Sequence, residues 1–126
     1  MKAKPWVKEP NYLAFEHEGY HCKIQRQEAG ILCGYVRLDP KHPYYNIKPD
    51  ALSLAELDVH GGITYCQMCE DGFWLGFDCA HYGDLIPLLY HRGETGVYRD
   101  MDYVIKQLKS LVEQLQGVDD EKQLGT

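Results

Sequence analysis

Residues 58–84 constrain this chain more than any other stretch. They read D-V-H-G-G-I-T-Y-C-Q-M-C-E-D-G-F-W-L-G-F-D-C-A-H-Y-G-D. Two β-prone runs, Ile63, Thr64, Tyr65 and Phe73, Trp74, Leu75, Phe77, flank the dipeptide Asp71-Gly72. Asp-Gly is a strong signal for a two-residue type I′ turn, in which both central residues need positive φ. The spacing predicts an antiparallel hairpin with Cys69 opposite Trp74, Met68 opposite Leu75, Cys66 opposite Phe77 and Tyr65 opposite Asp78. Continuing the pairing places His60 and Gly61 opposite 78–84. One end of the hairpin therefore collects His60, Asp78, His81 and Asp84 beside the Gly61-Gly62 step.

Those four side chains are the candidate site. A His followed by two glycines suits a place where backbone approaches a ligand closely. Asp78 can equally brace the turn that follows it. A His81-Asp84 pair can orient an imidazole and raise its basicity, which serves a metal ligand or a general base. It can also hold a long loop in shape. Two imidazoles and two carboxylates are ligand types for zinc, iron or manganese, so a divalent transition metal is an alternative cofactor at His60, Asp78, His81 and Asp84. Their spacing fits no H-E-x-x-H or EF-hand pattern, and no P-loop, Rossmann glycine run or G-x-S-x-G is present. The leading expectation is accordingly a site without a cofactor.

Five cysteines, Cys22, Cys33, Cys66, Cys69 and Cys79, are expected as reduced thiols. Cys66-x-x-Cys69 suggests zinc, but residues three apart on a strand face opposite ways, and no second C-x-x-C completes a four-ligand set. A Cys79–His81 or Cys79–His60 couple has no feature that would generate a thiolate.

Around the hairpin, residues 20–28 and 31–38 alternate as two further strands, with Gly34 a close-approach point. Pro5 and Pro10 mark 1–19 as an N-terminal arm. The proline-rich loop 39–50 carries Tyr45, a candidate ligand contact at a pocket rim. Residues 51–58 lean to strand. The connection 79–97 is long enough to suggest a functional loop. Met101, Val104, Ile105, Leu108, Leu111, Val112 and Leu115 recur at helical spacing, which predicts a helix over 98–116 with Gly117 as its C-cap and a frayed tail over 118–126. The fold expected is one α+β domain over 1–126: an antiparallel sheet of about four or five strands with the C-terminal helix packed on one face.

Charge narrows the partners. Residues 1–50 carry a net +2 and residues 51–126 a net −8. The acidic half is a poor match for a nucleic-acid backbone. No apolar run has the length of a membrane span, and the N-terminus has no apolar signal core, so the cytoplasm is expected.

The segments H-G-G-I-T-Y at 60–65, G-F-D-C-A-H-Y-G-D at 76–84 and Y-R-D-M-D-Y-V at 98–104, with G-Y-V at 34–36 and H-P-Y-Y at 42–45, carry a resemblance. Over roughly residues 31–115 the chain resembles a family of small, uncharacterised proteins of bacteriophages and prophages. The resemblance implies phage or prophage origin and action in the host cytoplasm; it implies no catalysis. The reading that follows is an accessory protein binding a small polar ligand or a host protein through the His60/Asp78/His81/Asp84 end. The alternatives are a metal-dependent hydrolase using the same residues and a purely structural or protein-interaction module.

Overall fold

The structure, a computed structural model, describes residues 4–93 and 95–124, with the backbone alone at His91 and Arg92. A short helix α1 (Pro5–Lys8) precedes strands β1 (Tyr12–His17), β2 (Tyr20–Arg26) and β3 (Leu32–Leu38). Strands β4 (Tyr65–Cys69) and β5 (Gly72–Asp78) follow, and a long helix α2 (Met101–Leu124) closes the chain. The five strands form one antiparallel sheet in the order β1-β2-β3-β5-β4. The class is the expected α+β, and α2 packs on β2 and β3.

The expected arm over 1–19 instead contains a full edge strand, β1, over its second half; residues 1–3 lie outside the described residues. The turn from β1 to β2 holds Glu18 at φ +50° and Gly19 at φ +81°. Both central residues have the positive φ that a type I′ turn needs, although Glu-Gly is a weaker signal than Asp-Gly. Prolines 5 and 10 lie before the strand rather than within it.

The central hairpin forms with its register two residues from the one expected. Its loop is Glu70-Asp71, so Cys69 faces Gly72, Gln67 faces Trp74 and Tyr65 faces Gly76. The Asp71 carboxylate accepts the Trp74 indole N–H at 2.9 Å. The positive φ falls on Gly72, at +135°, inside the strand. A shift of two preserves the alternation, so every side chain keeps its expected face.

The core lies between the sheet and α2. Ile24, Val36, Leu75 and Phe77 meet Val104, Leu108, Leu111 and Leu115, all at most 1 % exposed. Gly34 is the close-approach point expected of it. A Cβ there would stand 2.8 Å from the Phe77 ring and 3.1 Å from Val104.

Helix α2 starts and ends later than its pattern implies. Asp100 accepts the Tyr103 N–H and Glu9 accepts the Met101 N–H, both at 2.8 Å, so the N-terminus is capped from near and from far. Glu9 also accepts the Tyr98 hydroxyl at 2.5 Å and pairs with Arg26 at 3.2 Å, which draws Tyr98 out of the helix. At the other end Gly117 does not take the left-handed conformation of a cap and meets no crowding, so the helix runs through it. Segment 118–124 is thus helical, not frayed; residues 125–126 lie outside the described residues. Residues 51–58 hold a 3₁₀ turn (Leu52–Glu56) rather than a strand. Leu54 and Leu57 are both buried, three residues apart, which is the period of that turn.

Candidate functional site

Four elements converge at the end of the sheet where β5 finishes. His60 follows the 3₁₀ turn, Asp78 ends β5, His81 and Asp84 lie on the connection to α2, and the first turns of α2 face them. The four expected residues do meet, as two pairs. The pairs touch through their imidazoles, which meet edge to face: the His60 and His81 ring centroids lie 5.9 Å apart at 69°.

The inner pair is His60 and Asp84. The Asp84 side chain is fully buried, and its Oδ2 accepts His60 Nε2–H at 2.7 Å and the His81 main-chain N–H at 3.0 Å. Its Oδ1 accepts Arg99 Nε–H at 2.8 Å. With Nε2 donating, His60 Nδ1 accepts the Tyr103 hydroxyl at 2.7 Å. The His60 main-chain N–H donates to Gln107 at 2.8 Å. Burial pushes the Asp84 carboxyl upward, but Arg99, His60 and the His81 amide outweigh it and hold the pKa below the ordinary carboxylate range. Asp84 in turn raises the Arg99 guanidinium, which stays charged above the Tyr103 ring at 5.1 Å. Burial raises the Tyr103 hydroxyl.

The outer pair is His81 and Asp78, each about a third exposed at 33 % and 31 %. Asp78 accepts the Thr64 hydroxyl at 2.9 Å and the Ala80 N–H at 3.1 Å. His81 Nε2 lies 3.2 Å from Asp78 Oδ1 but is not aimed along that line, so this buried nitrogen makes no hydrogen bond. The His81 ring lies directly on Gly61, where a Cβ would come within 2.2 Å of it. Gly61 therefore serves a close approach as expected, to a side chain of the protein itself. Gly62 has φ +79° and open space around it.

The metal alternative does not fit this arrangement. Both imidazole nitrogens of His60 are engaged by Tyr103 and Asp84. Among the described residues no three His, Cys, Asp or Glu side chains are placed to hold one ion. Cys66 and Cys69 are free thiols, and burial pushes the Cys79 thiol up to about 12, which opposes a nucleophilic role.

Tyr45 does not belong to this site. It packs on Phe73 with ring centroids 5.8 Å apart, toward the turn end of β5. There it borders a recess of about 530 Å³ with Tyr20, Arg37, Asp39 and Asp119. Its loop is pinned by buried His42, which donates Nε2–H to the Leu115 carbonyl at 2.8 Å and accepts the Tyr44 N–H at 3.0 Å. The expected list also lacked Arg99, Tyr103 and Gln107. Their four-residue spacing marks a polar stripe beside the apolar one, a signal the sequence does contain.

No family model matches the chain, and no curated protein or solved structure is significantly similar to it. Among the described residues no helix is long and apolar enough to cross a membrane.

Proposed function

We propose that this chain is a non-catalytic accessory protein of phage or prophage type that docks on a host protein through the sheet end carrying Asp78, His81 and Tyr82. One observation carries the reading: the His60–Asp84 network is closed. Both ring nitrogens and both carboxylate oxygens are occupied by the protein's own groups. A general base or a metal ligand needs a free lone pair facing substrate. A closed network instead braces the connection that leads to α2. On that braced connection Tyr82 stands fully in solvent, and Leu88, Tyr90 and Val97 are exposed as well. Tyrosine on a rigid base is the residue type that anchors protein interfaces.

A photo-crosslinking residue at position 82 tests this in host-cell extract. A discrete adduct is expected, competed by unlabelled protein and weakened by Asp84→Ala, which loosens the loop. The same residue at Leu52, 88 % exposed on a different segment, should not give that adduct. Identical products from both positions would overturn the proposal. A small polar ligand is the second reading, supported by the unpartnered His81 Nε2 beside Asp78. NMR titration of the histidines separates the remaining readings. Loss of the His60 or His81 titration on adding one equivalent of zinc or manganese would return the site to the hydrolase alternative.

A further inference from the structure

The geometry points to β4 as a self-pairing edge through which two copies of this chain join in a two-fold dimer. The sheet has two open edges, β1 and β4. An edge strand leaves every second residue's N–H and C=O turned outward and unpaired, which invites another strand. Edges are ordinarily protected by charge, proline or bulges.

The β1 edge has that protection. Pro10 precedes it, Glu18 follows it, and Glu16 within it lies 3.3 Å from His21. Within β4 itself there is none: the nearest charges, Glu70 and Asp71, lie in the turn, and the Tyr45 hydroxyl reaches only the Met68 sulfur, at 3.5 Å. From Gly61 to Cys69 there is no charged residue and no proline. Tyr65 and Met68 are 37 % and 42 % exposed. Beyond its pairing with β5, β4 makes no main-chain hydrogen bond among the described residues. The Met68 carbonyl meets just the neighbouring Gln67 amide, at 3.5 Å.

The occupant follows from self-complementarity. An antiparallel pair centred on Gln67 sets Gln67 against Gln67 of the second copy, Cys66 against Met68 and Tyr65 against Cys69. No like charges meet anywhere in that register. Each apolar or sulfur-bearing side chain faces another, and Tyr65 already lies 3.7 Å from Cys69 within one chain. A charged peptide would find no counter-charge on β4. The contrast between edges also favours closure: β4 pairs with β4, while the charged β1 edge does not extend the sheet into a fibre. Residue 67 then sits on the two-fold axis, and this surface is separate from the Tyr82 loop.

The test uses charge at that axis. Gln67 is exposed, so Gln67→Lys and Gln67→Glu leave the fold intact, which circular dichroism verifies. In sedimentation equilibrium the native chain is expected to dimerise. Each variant alone should raise the dissociation constant by about tenfold or more, since like charges face each other directly. An equimolar mixture of the two variants should restore the dimer, because Lys then meets Glu. A native chain that stays monomeric at its solubility limit would overturn the proposal. So would variants that dimerise unchanged, or a mixture that fails to recover.

Discussion

Replacing Asp84 with alanine tests whether the His60 network holds the fold. The change deletes a fully buried carboxylate and strands three donors: Arg99 Nε–H, His60 Nε2–H and the His81 N–H. An unsatisfied buried donor costs about 1–3 kcal/mol. Arg99 is 25 % exposed and can turn to water, so most of the loss comes from His60, 12 % exposed, and from the His81 amide. The expected cost is about 3–4 kcal/mol, at the lower end of what breaking a buried ion pair does. For a domain this size that lowers Tm by roughly 10–15 °C. Urea unfolding followed by Trp6 and Trp74 fluorescence measures it. The pH dependence has a definite sign. The folded Asp84 pKa is depressed, so its contribution is present above the unfolded value of about 3.9 and is lost as pH falls through the folded value. The gap between native and Asp84→Ala should therefore be full at pH 7 and narrow in acid. A loss under about 1 kcal/mol at pH 7 would refute the brace, because water would then be replacing the network.

Two further outcomes follow from the packing. Leu108→Ala, at a position with no exposure under the sheet, should cost about 2–5 kcal/mol in the same urea assay, and a value near zero would mean that α2 does not form the core. In the native protein, an aromatic disulfide reagent should modify Cys66 and Cys69 ahead of Cys22, Cys33 and Cys79. Burial raises Cys22 and Cys79 to about 12 and shields all three. Mass mapping of the first two labelled sites decides it.

Much of this architecture was legible because local chemistry and burial agree. The β2 and β3 alternation, the Gly34 approach and the Met101–Leu115 stripe each depend on one face meeting one core. The grouping of His60, Asp78, His81 and Asp84 was legible from the hairpin alone, since a two-residue register error does not change which end they occupy. What was not legible depends on distant partners. Glu9 reaches Tyr98 and Met101 from 89 and 92 residues away in the chain, and no local pattern marks that. Tyr45 was assigned to the site by residue type, yet its loop is fixed by His42 on Leu115, a contact between segments far apart in the chain. Tyr103, Arg99 and Gln107 were hidden because the apolar stripe of α2 dominates the pattern.

The position of α2 matters before the protein is finished. It packs on β2 and β3, and every strand of the sheet is synthesised before its first residue. Until the helix leaves the ribosome, Ile24, Val36, Leu75 and Phe77 belong to a sheet without its cover. A nascent chain stalled before residue 101 thus presents a sticky apolar surface of the kind chaperones bind and aggregates grow from. Nor does a stop codon in the first two turns of α2, before Leu108, merely trim a tail. Leu108, Leu111 and Leu115 leave with it, and the truncated product is a sheet that cannot bury its own interior.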